Sequence, residues 1–260
     1  MKLPIYQVDA FTGSLFCGNP AAVVLLEQWL PDDTLQAIAA ENNLSETAFV
    51  LSGGDSFDIR WFTPLAEVDL CGHATLASAF VLFEEGRVRG NAVHFKTRTS
   101  GLLAVHRTGG RLNLDFPARP AVPVECTDAI VEALGARPRE VRTARDLLAV
   151  FGTEAEVTSL QPDFDRIAAL DEMAVIVTAP GREADFVSRF FAPKVGVPED
   201  PVTGSAHCTL IPYWSARLGK PTLRALQLSK RGGEILCEDN GERVSIGGRA
   251  VLFLQGEIRI

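Results

Sequence analysis

The sequence predicts an α+β protein of two pseudo-symmetric lobes, each a sheet wrapped around one central helix. Three observations carry this. Short strand signals are dense along the 260 residues and helices are few. A proline-rich stretch at 117–123 breaks every periodicity near the middle, because prolines remove backbone donors. The segments on its two sides look like copies. Shifting the first half by 132 positions lays Gly72 on Gly204, Ala74 on Ala206, Gly101 on Gly233 and Arg111 on Arg243, with no gap from 71 to 115. Upstream, Phe62-Thr-Pro resembles Phe191-Ala-Pro at a shift of 129, so three residues were inserted before the second motif. A duplicated strand–helix–hairpin unit implies two similar lobes, 1–117 and 118–260, with the last strand free to pack back on the first lobe.

The elements follow in order. Residues 5–11 and 22–26 read as strands around the turn at Cys17-Gly-Asn-Pro. Residues 32–41 read as a helix, since Pro31 and two aspartates stand where a helix start favours them. Strands are expected at 47–51 and 57–62, and 72–83 is a small-residue apolar helix ended at the Glu-Glu-Gly of 84–86. Strands at 93–98, 102–107 and 111–116 follow, the last two joined by Thr108-Gly-Gly as a hairpin turn. Beyond the proline stretch come a helix at 127–134, strands near 147–151, 173–178 and 186–191, a helix at 204–218, and closing strands to residue 260.

Composition narrows the function. The net charge is −8 and no Lys/Arg run offers a phosphate-backbone contact, so a nucleic-acid partner is not expected. The apolar runs are too short for a membrane span, and residues 1–11 lack a signal-peptide pattern. Five scattered cysteines without a CxxC pair argue against disulfides and structural zinc, and for a reducing cytoplasm.

The repeat sets Cys71-Gly-His-Ala-Thr75 in register with Thr203-Gly-Ser-Ala-His207, each opening an apolar helix. A helix start carries unpaired N–H groups and partial positive charge, and glycine lets a ligand approach the backbone. Two such starts facing each other would clamp a carboxylate or an enolate-like anion. The expected substrate contacts are therefore Cys71, Gly72, Ala74, Thr75, Thr203, Gly204 and Ala206. His73 and Ser205 hold equivalent places and can hydrogen-bond a ligand; His207 is either a site residue or part of a helix face. His94 and His106, on strands without acidic or cysteine neighbours, read as structural. No His-x-His or HExxH spacing occurs, so no metal site is expected. Glu46 stands just before an apolar strand, where a dry setting makes a carboxylate a better base near neutral pH. Asp200 precedes the second helix start and can serve as a turn residue or as a substrate contact.

Asp9-Ala-Phe-Thr, Gly18-Asn-Pro-Ala-Ala-Val-Val (with Asn19), Ser45-Glu-Thr-Ala-Phe, Glu67-Val-Asp-Leu-Cys-Gly-His-Ala-Thr75 and Asp200-Pro-Val-Thr-Gly-Ser-Ala-His207 together resemble the PhzF family, named for phenazine biosynthesis. The resemblance runs over essentially the whole chain. It implies the diaminopimelate-epimerase-like fold, an active site between the lobes, a homodimer and no cofactor. It also implies that Glu46 shuttles a proton and that His73, Asp200 and Ser205 are catalytic positions, with Asn19 among the substrate contacts. Cys71 departs from the phenazine enzyme, which leaves the substrate open, and phenazine synthesis is not assumed.

The fold's racemases use a thiol at each helix start, but Thr203 replaces the second thiol here, and a hydroxyl is a poor base. Shifting Glu46 by 132 lands on Thr178, so no carboxylate twin is expected either. One base without an opposite partner suits an isomerase of a small carboxylate. The competing readings are a two-base racemase using Cys71 and a noncatalytic binding protein on the same fold.

Overall fold

Alternation of apolar and polar residues builds the N-terminal strands of the computed structural model, which describes residues 1–53 and 56–260. β1 (Lys2–Ala10) pairs antiparallel with β2 (Asn19–Leu26). α1 (Asp32–Asn42) follows; Pro31 precedes it, Asp32 and Asp33 fill its first turn, and Asn43 ends it in the left-handed conformation at φ 50°. The chain then enters β3 (Glu46–Ser52), which runs parallel to β2 with Ala21 opposite Glu46. α1 covers this face: Leu35, Ile38 and Ala39 bury against Ala22, Val24, Phe49 and Phe62. β4 (Phe57–Phe62) returns antiparallel to β3 and pairs with the short β5 (Glu67–Val68).

α2 (Gly72–Glu84) is apolar on all sides and therefore central. Eleven of its thirteen residues are buried, and it packs against β1, β2, β3 and β7 (Leu102–Thr108). Burying Leu76, Val81 and Leu82 stabilises this arrangement by about 1.5–3 kcal/mol per side chain. β6 (Ala92–Lys96) runs parallel to β4, and β7 turns into β8 (Arg111–Pro117). Gly109 and Gly110 form that turn at φ 57° and 75°, the pair of positive φ values that a two-residue I′ hairpin needs.

The proline stretch is held by backbone hydrogen bonds and a short strand pairing. Ala118 N–H donates to Glu242 O, Arg119 N–H donates to Cys208 O, and β9 (Val122–Pro123) pairs with β10 (Glu140–Thr143). Prolines at an edge strand leave their neighbours' N–H groups available for such bonds. Between these strands lies α3 (Asp128–Leu134), capped by the Thr127 hydroxyl accepting from Ile130 N–H. β11 (Leu147–Val150) runs parallel to β12 (Val175–Pro180), and α4 (Glu154–Ser159) and α5 (Phe164–Ala168) connect them. Those two short helices and β10 carry too little periodicity to stand out in the sequence. β13 (Phe186–Phe191) is antiparallel to β12 and parallel to β14 (Thr222–Gln227). Between β13 and β14 runs α6 (Gly204–Leu218), followed after β14 by β15 (Gly233–Asp239) and β16 (Arg243–Gly248). The final strand, β17 (Ala250–Arg259), returns to pair with β1 along its full length.

The chain divides into two units, Met1–Asp115 with Gly247–Ile260, and Phe116–Ile246. Each repeats one order: parallel strand pair, antiparallel return, buried helix, hairpin strands. β12 and β13 start 129 residues after β3 and β4, whereas α6 starts 132 after α2. The equivalent of Glu46 is therefore Val175, not Thr178, because the three inserted residues lie between β13 and α6. Among the described residues no helix is long and apolar enough to cross a membrane.

Candidate active site

In the first unit, the starts of β2, β3 and α2 converge. β2 opens on Asn19 and β3 on Glu46, two adjacent strand ends. Cys71, in extended conformation at φ −138°, is the N-cap of α2 and places no side-chain hydrogen bond on the helix's own N–H groups. Buried His73 stands at the centre. Its Nε2 lies 3.1 Å from Glu46 Oε2, and its Nδ1 lies 3.2 Å from Asn19 Nδ2 and 3.5 Å from Cys71 Sγ. The Glu46 contact has an ion-pair distance without hydrogen-bond alignment: Oε2 is buried and accepts no aligned bond among the described residues. A carboxylate oxygen thus sits at a helix start with lone pairs left over.

The protonation states follow from burial and charge. Burial pushes the Cys71 thiol up to about 11, with the negative charge of Glu46 adding to it. Cys71 is therefore a neutral thiol near pH 7. For His73 burial alone would favour the neutral ring, but the negative charge beside it outweighs burial and holds its pKa well above the usual imidazole range. Both neighbours contribute to that rise, the interaction with Cys71 first and that with Glu46 second. Glu46, Cys71 and His73 each offer one donor atom within 4.8 Å of the others, a set with the composition of a metal site. No metal-ligand spacing is visible in the sequence, because only Cys71 and His73 of this set are close along the chain.

The first turn of α2 divides its tasks. Gly72 and Ala74 are buried and offer backbone. Thr75 turns inward: its hydroxyl and its N–H both donate to Cys71 O, at 2.5 and 3.2 Å, so its side chain fixes the helix start and does not reach outward. The segment before Cys71 is held by Arg60, a buried cation that reaches both Glu67 oxygens at 2.7 Å and Asp32 at 2.8 Å. Arg60 escaped the sequence reading, although an arginine inside the apolar strand Phe-Asp-Ile-Arg-Trp-Phe was a visible signal.

The second unit has its own group at the start of α6. Thr203, at φ −115°, is the N-cap; its hydroxyl donates to the half-buried Asp200 carboxylate. Gln227, at the end of β14 and 1% exposed, accepts from Thr203 N–H at 2.9 Å and donates to Asp200 O at 2.9 Å and to Thr203 Oγ1 at 3.1 Å. Sequence reading missed Gln227, although the inward alternation Leu223, Ala225, Gln227 pointed to it. Ser205 is half-buried, while Gly204 and Ala206 are buried. His207 is fully buried, with Nδ1–H donating to Thr203 O at 2.8 Å and its ring against Phe186. Burial pushes His207 down to about 4, so it is neutral near pH 7 and acts as a brace for the helix start. His94 and His106 are exposed on β6 and β7.

Comparison with known proteins gives one consistent result. The model of the PhzC-PhzF family, described as phenazine biosynthesis-like protein, matches residues 8–256. A Pseudomonas aeruginosa protein named as an uncharacterized isomerase is 54% identical, covering 100% of both chains. The crystal structure of a PhzF-family phenazine biosynthesis protein from Enterococcus faecalis superposes with a TM-score of 0.98 at 50% identity, again over 100% of both chains. A hydroxyproline epimerase from Agrobacterium vitis shares the fold at a TM-score of 0.61 and 12% identity, over 99% of this chain and 92% of its own. With these matches spanning the whole length, the chain belongs to the PhzC-PhzF family of phenazine biosynthesis-like proteins.

Proposed function

We propose that the chain is an isomerase that moves a proton within a small carboxylate substrate, with Glu46 as its single base. The observation that carries this is the Glu46 Oε2 atom, buried beside His73 at an uncapped helix start and holding unused lone pairs. In the proposed step, Glu46 removes a proton from a carbon next to an electron-withdrawing group. The electron pair shifts along the substrate, and the protonated Glu46 returns the proton to a second carbon. The unpaired N–H groups at the start of α2 stabilise the anion that forms. His73 steadies the Glu46 carboxylate electrostatically. Asp200 and Ser205, at the start of α6, are assigned substrate contacts in their own unit. No cofactor enters the proposal.

The isomerase names of close relatives support the reaction class. Two features weigh against a two-base racemase: burial keeps Cys71 protonated, and the α6 start offers a hydroxyl where such a mechanism needs a second acid or base. The test uses a substrate deuterated at the migrating position, once a metabolite converted by wild type is known. One-base transfer predicts label carried to the new carbon of the product, above the level that solvent exchange alone leaves. Complete washout in every turnover, together with inversion of a stereocentre and loss of activity in Cys71→Ala, would replace this reading with the racemase.

A further inference from the structure

We propose that Gln227 is a positioning residue: its buried carboxamide locks the Asp200–Thr203 turn so that Asp200 presents its carboxylate to substrate in one orientation. The inference deepens the proposed function and rests on its assignment of Asp200 as a substrate contact. Three hydrogen bonds from one side chain reach both ends of the turn: Asp200 O at 2.9 Å, Thr203 N–H at 2.9 Å and Thr203 Oγ1 at 3.1 Å. Thr203 in turn donates its hydroxyl to the Asp200 carboxylate, so the amide is one bond removed from the charged group. Asp200 N–H is tied to Phe190 O at 3.0 Å, which fixes the other flank of the same residue.

A buried amide is costly unless its donors and acceptor are met, so an apolar residue in this slot would be the simpler core choice. The first unit makes that choice. Its corresponding strand, β6, points Val93 and Phe95 inward, and nothing amide-like reaches the Cys71 end of α2 from that strand. In the second unit the corresponding strand carries the amide, and further polar groups stand around Gln227. Ser188 sits opposite it across the β13–β14 pair, and His207 Nδ1 braces Thr203 O from inside the helix. The Gln227 amide thus hydrogen-bonds both Asp200 and Thr203 directly.

The test is a double-mutant cycle on the full chain with Gln227→Leu, Asp200→Asn and the pair. The readouts are turnover of the metabolite that wild type converts in a cell extract, amide exchange of Thr203, and the carboxyl carbon resonance of Asp200. Gln227→Leu is expected to lower turnover about tenfold in the wild-type background and less than twofold in the Asp200→Asn background. Thr203 exchange should accelerate about tenfold or more, and the titration midpoint of the Asp200 carboxyl should move. Equal loss of turnover in both backgrounds, or wild-type turnover despite faster exchange, overturns the proposal. The NMR readouts need no substrate: an unmoved Asp200 midpoint overturns it even where the isomerase reading itself has failed. Where the leucine variant does not fold, Gln227→Glu keeps the acceptor for Thr203 N–H, lacks the two donors, and reads the same cycle.

Discussion

At the scale of residues, the account turns on the protonation of three groups around His73. With Cys71 Sγ at 3.5 Å and Glu46 at 3.1 Å, the ring holds its proton above the usual imidazole range. Nitrogen-detected NMR should show the His73 imidazolium persisting above pH 6.5 in wild type, and its titration midpoint falling in Glu46→Gln. A midpoint that stays put would break the electrostatic link between the two side chains. Cys71 is a buried neutral thiol, so Cys71→Ala should retain turnover within about tenfold of wild type, far from the hundredfold or greater loss expected of a missing base. The Glu46–Cys71–His73 donor set calls for a direct check. The proton-transfer account predicts that exhaustive chelation followed by elemental analysis leaves turnover unchanged, and activity restored only by an added divalent ion would contradict it.

At the scale of elements, the site depends on where strands and helices begin. Gly18 makes the turn into β2 at φ +67°, and a Cβ there would meet Ala10 O at 2.1 Å. Gly18→Ala should therefore cost more than about 2 kcal/mol, combining left-handed strain with a backbone clash, and should displace Asn19 from His73. Urea unfolding and the His73 resonances would report both effects. This layer was partly legible beforehand. The starts of α2 and α6 stood out because glycine and small residues precede apolar runs, and β4, β13 and α6 have the expected bounds. Asn19 was legible only through motif resemblance, and Glu46 through that and its place before an apolar strand; their meeting with His73 was not, since it depends on β2 and β3 running side by side. Arg60 and Gln227 were not read because a lone polar residue inside an apolar strand announces burial without naming its partner. The bonds that hold the proline stretch were not legible for a related reason: the sequence shows lost donors, while the partners come from residues such as Cys208 and Glu242, far along the chain.

At the scale of the molecule, duplication supplies two copies of one topology and divergence gives them unequal chemistry. The first unit carries a carboxylate, an imidazole and a thiol at its helix start; the second carries a hydroxyl, a carboxylate and a buried amide. Val175 at the place equivalent to Glu46 is the clearest mark of that inequality. The two buried histidines also give stability opposite pH slopes. His207 folds neutral with its pKa near 4, so its contribution is complete above about pH 6.5 and is lost as pH falls toward 4, by roughly 3 kcal/mol. His73 has a raised pKa, so its contribution is complete below about pH 6.5 and is lost only as pH rises through the raised value. Chemical denaturation of His207→Gln across pH 4–7 should show a flatter acid limb than wild type, and an unchanged limb would assign the acid loss elsewhere.

The central claim, that Glu46 is the single base, meets its most direct test in one comparison. Wild type and Glu46→Gln are incubated with a host metabolite extract in D2O, and mass spectrometry follows compounds that change in mass or retention. The account predicts a metabolite converted by wild type and left at least a hundredfold slower by Glu46→Gln, with both proteins equally folded. Conversion of the same metabolite by Glu46→Gln at the wild-type rate would contradict it.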